Sequence, residues 1–579
     1  MKLQERLEEI NCSVASSSLG WYFKLDGSGH PRSRKDAKFF VELRAGLTTF
    51  AAMAYIISVN ASILSQTGGT CVCTDEADPT CATDPAYAQC VTAINRDLVT
   101  ATAAIAAFAS FFFGLFANLP LGLAPGMGLN TYFAFNVVGF HGTGLVSYRL
   151  ALTAVFVEGM IFFGLSLFGM RQWLIRAIPI CLKLATGAGI GLYLTLIGLS
   201  YSAGIGLIQG TMTDPLTLAG CTVADQDPTT GLCSSAGKMR NPTLWMGILG
   251  GIIIAMLLLY RVKASILIGV VLISITSWPR VSPITLFPYT NSGDEAFNFF
   301  KQVVAFHKID NTLNAQQWDL GGIGSQFGLA LITFLYVDIL DCSGTLLSMA
   351  RFAGVLDEKT GDFEGSTAAY MTDSLSISIG SLFGCSPVTV FVESGAGIAE
   401  GGKTGLTGMI TGICFFISIF FAPIFASFPS WATGPALVLI GCSMMTVVPQ
   451  INWIYAGDAI PAFLTIAIMP FTYSISYGLI AGVFSYIVLN GGAWVIKVIS
   501  RGKILPPNYD TQVHWTYKIP GGIMPPWISR MIHGKRKFWA EDIDIEGREK
   551  INTSDVSSTK APAHASAVQE SAQAEIMKG

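Results

Sequence analysis

The feature that most constrains this chain is the absence of charge over long distances. No Asp, Glu, Lys or Arg occurs from Leu98 to Tyr148, from Thr404 to Gly457, or from Ala459 to Ile496. A bilayer-spanning helix needs about 20 apolar residues, so each tract holds about two spans. Large soluble enzymes also bury helices, but repeated uncharged tracts of this length argue against one. Soluble proteins run near roughly 25% charged residues, whereas this chain has 13%. The sequence therefore reads as an all-α polytopic membrane protein whose first partner is the lipid bilayer. A net charge of −3 implies no nucleic-acid partner. Met1–Ile10 is charged and lacks an apolar h-region, so no cleaved signal peptide is expected, and the first span would serve as the insertion address.

Hydropathy gives about fourteen spans, near residues 45–65, 98–118, 121–139, 148–170, 184–206, 243–260, 264–279, 326–350, 366–385, 388–402, 405–425, 434–449, 458–474 and 478–498. The third and tenth are irregular: Pro125, Gly126 and Gly128 interrupt one, and Pro387, Gly395 and Gly397 the other. The expected organisation is a cytoplasmic N-terminal segment (1–44), a first seven-span unit (45–279), an extracellular linker (280–325), a second seven-span unit (326–498) and a cytoplasmic, largely disordered tail (499–579). Lys and Arg groups before the first span and after the fourth, sixth, eighth and last all fall on one face, which the positive-inside rule assigns to the cytoplasm together with both termini. Cys71, Cys73, Cys81 and Cys90 share one loop and Cys221 and Cys233 another, both on the outer face, where disulfides persist. Cys221 with Cys233 is the expected pair, and the other four allow three connectivities. A zinc site is the weaker alternative, since no His accompanies them. The basic-aromatic run His533–Trp539 suits an anionic membrane surface or an ordinary positive flank.

A repeat is visible. Leu115-Phe116, Pro120 and Gly128 have counterparts at one common offset in Leu382-Phe383, Pro387 and Gly395, and Thr49-Phe50 resembles Thr333-Phe334. An odd number of spans per unit inverts the second copy, giving two inverted seven-segment repeats with short strand–helix breaks in segments 3 and 10, an arrangement typical of secondary transporters. Ionisable groups inside spans are costly and mark function by default. The candidates are Glu158, Asp338, Asp341, Asp373 and Glu393, with no deep Lys or Arg beside them. This acidic excess points to proton or cation coupling and away from an anion carrier. Asp338 and Asp341, three apart, face one side of a helix. Glu393 follows the β-favouring stretch Val388–Val392 and precedes Ser394-Gly395-Ala396-Gly397, and Asn130 occupies the equivalent region of the first unit. Two opposed half-helices would bring Asn130 and Glu393 towards Asp338. Glu158 and Asp373 read first as interhelical hydrogen-bond partners, and Phe391 as packing before stacking.

Gly46–Ile56, Leu123–Asn130 and Pro387–Gly395 resemble the corresponding motifs of the AzgA-like purine permeases, and the resemblance extends over roughly residues 40–500. The resemblance implies the nucleobase–ascorbate transporter fold, with a core of spans 1–4 and 8–11 and a gate of spans 5–7 and 12–14. It implies import of hypoxanthine, adenine or guanine across the plasma membrane with the proton as coupling ion. Carried over, Asn130, Asp338 and Glu393 would bind the purine, with Phe391 and Ser394 beside them. Asp341 would support proton linkage together with Asp338 and Glu393. An anion exchanger or a channel of the same fold is the alternative. No metal cluster, phosphate loop or nucleophile–His pairing is present, so no enzyme activity, metal or organic cofactor is expected. A homodimer is compatible with the sequence, which sets no oligomeric state.

Overall fold

The computed structural model of the chain describes residues 2–72, 81, 84–144, 146–168, 178–200, 204–210, 216–222, 225, 233, 237–319, 324–357, 362–511 and 531–532. Cys73, the 533–539 patch and the 553–579 tail lie outside the described residues. Among the described residues, eight helices are long and apolar enough to cross a membrane: Phe39–Ser65, Ala86–Ala117, Tyr148–Leu167, Ile180–Leu199, Pro242–Leu259, Gly405–Phe425, Ser430–Gln450 and Ile475–Ile499. Shorter apolar helices cover Ser265–Ser277, Gly324–Ile339 and Ala456–Phe471.

The elements that build the site are α1 (Phe39–Met53), α2 (Ile56–Ser65), α3 (Pro85–Ala117), β1 (Leu123–Pro125), α4 (Met127–Thr131), α5 (Tyr148–Leu167), α6 (Ile180–Leu199), α7 (Gly324–Phe352), α8 (Ser366–Leu382), β2 (Val388–Val390), α9 (Gly395–Ala399) and α10 (Gly405–Ser418). Small residues let these helices approach backbone to backbone, as expected where lipid offers no hydrophobic drive for helix association. A Cβ on Gly114 of α3 would sit 2.4 Å from the Gly405 carbonyl oxygen of α10. One on Gly159 of α5 would sit 2.3 Å from Ser378 Oγ of α8. The main buried cluster draws chiefly on residues 53–162 and 330–422. Two smaller clusters join Ala185 and Ala188 to Ile451–Ile466, and Val270 and Ile273 to Phe428–Ala436.

Both ends of the main bundle are tied down. On one side, the N-terminal segment folds as helices Lys2–Ala15 and Ser18–Phe23. Tyr22 Oη donates to the Leu115 carbonyl (2.6 Å), and Arg34 donates to the carbonyls of Asn118 (2.9 Å) and Lys403. Lys24 and Arg32 pair with Glu364. At the other end, residues 305–317 run across the bundle. Asp97 of α3 accepts from the Asp310 and Asn311 amides and contacts His307 Nε2 at 2.8 Å. Asn314 N–H donates to the Leu382 carbonyl at 2.7 Å.

Loops between the helices carry disulfides. Cys221 bonds Cys233, and Cys71 bonds Cys90; Cys81 is disulfide-bonded as well. Two features were not expected from the sequence: the hairpins pairing Ile208–Gln209 with Thr217–Leu218 and Leu356–Asp357 with Asp362–Phe363. The first span also begins at Phe39 rather than near 45.

Candidate functional site

The site grows out of two places where the helical pattern fails. Pro125 cannot continue a helical ladder, and Val388-Thr389-Val390 is a β-branched run suited to extended backbone. In the bilayer every backbone polar group needs a protein partner. The two segments satisfy each other: β1 and β2 pair antiparallel, Leu123 with Val390, Ala124 with Thr389 and Pro125 with Val388. Further groups around the crossing are paired as well. Gly126 N–H donates to Pro387 O (2.9 Å) and Phe391 N–H to Gly122 O (3.2 Å). Ser110 Oγ both accepts from Leu123 N–H and donates to Leu123 O, each at 2.9 Å. A Cβ on Gly126 would meet Thr389 Cγ2 at 2.7 Å, so the crossing needs glycine there.

Each strand leads into a short helix. After β1 come α4 and a π-helix over Tyr132–Val138, and after β2 come the 3-10 turn Val392–Ser394 and α9. Asn130 lies in α4 and Glu393 in the turn, so the first polar residue stands five positions beyond its strand and the second three. The two residues thus share a region but not equivalent positions of the repeat. Asn130 is fully buried. Its Nδ2 is 3.5 Å from the Asn60 carbonyl, and its Oδ1 has no hydrogen-bond partner among the described residues. Glu393 Oε1 accepts from Tyr55 Oη at 2.8 Å, while Oε2, also buried, has none.

Asp338 is fully buried on α7, which packs against α4, β2, the 392–394 turn and α9. Asp341, one turn on, lies within electrostatic reach of Asp373 and Glu393. The three expected site residues are therefore carried by adjoining elements. Ser394 is engaged differently from the expectation. Its hydroxyl accepts from Gly122 N–H at 3.0 Å and so binds the crossing together rather than facing an opening. Phe391 is buried in the main apolar cluster, as packing. Asp373 accepts from Cys342 Sγ at 2.9 Å, an interhelical bond between α8 and α7. Glu158 is fully buried on α5, one residue from the tight contact with Ser378.

Sequence reasoning missed three contributors. Tyr55 reads as one more aromatic inside a span. Asn60 gives its amide to Thr102 Oγ1 at 2.7 Å and its carbonyl to Asn130. Glu42 lay outside the expected edge of the first span. It is fully buried, and its carboxylate accepts from Lys403 N–H (2.9 Å), Thr404 N–H (3.2 Å) and Thr407 Oγ1 (2.6 Å). A carboxylate at a helix N-terminus is favourable, and this one caps α10.

These features define a helical, multispan membrane protein whose polar site is assembled from two interrupted segments. Residues 41–480 match the "Permease family" profile of the xanthine and uracil permeases; the chain belongs to that family and is a transporter rather than an enzyme. It is 62% identical to a protein of Aspergillus versicolor named "Efflux pump notK'", over 93% of this chain and 94% of that one. It is 55% identical to a putative xanthine/uracil permease of Schizosaccharomyces pombe, over 94% and 86%. It is 34% identical to the guanine/hypoxanthine permease PbuG of Bacillus subtilis, over 80% and 93%. Among solved structures, the transmembrane domain of the cyanobacterial bicarbonate transporter BicA aligns over 77% of this chain and 97% of its own, at 17% identity and a TM-score of 0.47.

Proposed function

We propose that this chain imports purine bases (hypoxanthine, adenine and guanine) by proton symport through alternating access. The observation that carries the reading is the pair of unpartnered, buried oxygens at the crossing, Glu393 Oε2 and Asn130 Oδ1. A neutral purine presents N–H donors that such acceptors can take, and ring nitrogens that a protonated carboxyl or the Asn130 amide can donate to. Asp338 would complete the ring of polar contacts from α7, and Asp341 would share the coupled proton. The guanine/hypoxanthine permease among the relatives supports the substrate class.

In this reading fourteen segments form two inverted repeats, with spans 1–4 and 8–11 as core and 5–7 and 12–14 as gate, in the plasma membrane with both termini cytoplasmic. The contacts that tie both ends of the main bundle support a core moving as one body. At one junction of the two, Glu400, just past α9, pairs with Arg44 of α1 at 2.8 Å and with Lys263, which follows the Pro242–Leu259 helix assigned to the gate. The test is uptake of radiolabelled bases in cells lacking their own carriers. Uptake should fall when a protonophore collapses the gradient and persist without sodium; sodium dependence with indifference to the protonophore would reject proton symport. The relative named an efflux pump favours a second reading, outward movement. Preloaded cells decide between them: faster loss of label on expression, without enhanced uptake, would make the chain an exporter.

A further inference from the structure

We infer that Tyr55 is the positioning residue of this site: its hydroxyl fixes Glu393 Oε1 so that Oε2 is the oxygen presented to the substrate. The inference deepens the proposed function and rests on that reading of Glu393. The first span hydrogen-bonds to both polar termini of the crossing. Tyr55 Oη reaches Glu393 at 2.8 Å, and five residues on, the Asn60 carbonyl reaches Asn130 Nδ2 at 3.5 Å. Tyr55 is fully buried, so its hydroxyl needs a partner in the protein, and Glu393 Oε1 is the partner it has. The backbone under Tyr55 is unusual as well. The helix tightens between α1 and α2: Ile57 N–H donates to Ala54 O (3.3 Å) and Ser58 N–H to Tyr55 O (3.2 Å), both i to i+3 bonds. A mid-helix stretch of this kind often marks a functional hinge. The span is also locked to α9 just below, because a Cβ on Gly397 would sit 2.1 Å from Thr49 Oγ1 and 2.7 Å from the Ala45 carbonyl. Tyr55 and Glu393 are thus held in mutual register from two sides.

The chemistry separates positioning from packing. A phenol donating to a charged carboxylate makes a charge-assisted bond, roughly twice as strong as its neutral counterpart. Removing the hydroxyl should therefore matter most when Glu393 is charged. Asp341 on α7 lies within electrostatic reach of Glu393, and it is unchanged in the variant. The experiment measures hypoxanthine affinity at pH 5 and pH 8 by ligand-dependent thermal stabilisation of the purified full-length chain, for wild type, Tyr55→Phe and Glu393→Gln. Tyr55→Phe removes only the hydroxyl and leaves the ring packing in place, and its melting temperature without ligand checks the fold. The expected result is an affinity loss of about tenfold at pH 8 and under about threefold at pH 5. An equal loss at both pH values, or none, overturns the role of Tyr55 while Glu393→Gln still weakens binding. Wild-type affinity in Glu393→Gln overturns the reading of the site itself, and this inference with it.

Discussion

The two interrupted segments do the same structural job with different chemistry. Both supply one strand to the β1–β2 pair and then turn into a short helix. The first is built for close approach: Gly126 lets Thr389 lie against it, Gly128 lets Ile190 of α6 approach, and its polar residue is a neutral amide. The second is built around charge. Glu393 stands in a 3-10 turn, Ser394 is tied back to Gly122, and Glu42 caps the helix that follows. The two segments thus share one scaffold while carrying different side chains. The first fits the crossing closely, and the second carries Glu393.

The largest expected effect tests that division. Glu393→Gln keeps shape but removes the charge, and hydrogen bonds to charged groups contribute about 1.5–3 kcal/mol. Base uptake should fall about 10- to 100-fold at equal surface expression, and Asp338→Asn should behave likewise. Asn130→Ala removes neutral bonds of about 0.5–1.5 kcal/mol and should cost roughly three- to tenfold. Equal losses in Glu393→Gln and Asn130→Ala would erase the asymmetry.

Next is the cap. Glu42→Ala leaves the Lys403 and Thr404 amides and the Thr407 hydroxyl without their acceptor. Buried donors left unsatisfied cost about 1–3 kcal/mol, so the purified protein should lose about 2–4 kcal/mol of stability, with Glu42→Gln recovering part of it. A Glu42→Ala protein as stable as wild type would show that the second segment holds its geometry without the cap.

A smaller effect concerns the fit of the crossing. Gly126→Ala would place a methyl 2.7 Å from Thr389 Cγ2. Overpacking of this kind costs about 1–3 kcal/mol. Thr389→Ser deletes that Cγ2, so the double variant should regain most of the stability lost in Gly126→Ala, as measured by thermal unfolding. No rescue would mean that the glycine serves the backbone rather than the contact.

Much of this was legible in the sequence because it follows from local chemistry. Uncharged tracts mark spans, Pro125 and Pro387 mark breaks, and a carboxylate inside a span announces itself by its cost. Cysteines twelve apart in one loop fall within bonding reach. The rest depended on which distant groups meet. Tyr55 and Glu393 are separated by 338 positions, and nothing in the helical period around Tyr55 sets its hydroxyl apart from a core tyrosine. Glu42 sits one turn before the uncharged stretch and so resembles an ordinary flank, although it caps a helix more than 360 residues away. The N-terminal segment is polar in composition, yet Arg34 reaches two backbone turns of the bundle. Ser394 lies in the most distinctive motif of the chain, yet its hydroxyl serves the assembly of the crossing.

The smallest expected effect uses the same substitution as the largest. Glu158 and Glu393 are both carboxylates inside the bundle, and by burial cost alone both would be site candidates. Their surroundings differ. Glu393 stands in an interrupted segment with one oxygen held by Tyr55 and the other unpartnered. Glu158 stands mid-way along the regular helix α5, next to Gly159, where α5 and α8 meet closely enough that Ser378 Oγ donates to the Phe156 carbonyl at 3.0 Å. A regular helix packed that closely gives a side chain little freedom to move. A polar side chain held there reads as serving helix association, where an interhelical hydrogen bond contributes about 0.6 kcal/mol on average. A glutamine keeps the shape, so Glu158→Gln should keep uptake within about threefold of wild type, with any loss appearing in surface expression rather than in affinity. Measured side by side with Glu393→Gln at matched surface levels, it separates the cost of burying a carboxylate from the use made of one. If Glu158→Gln abolishes uptake in a protein that reaches the membrane, the titratable machinery extends beyond Glu393, Asp338 and Asp341 into α5.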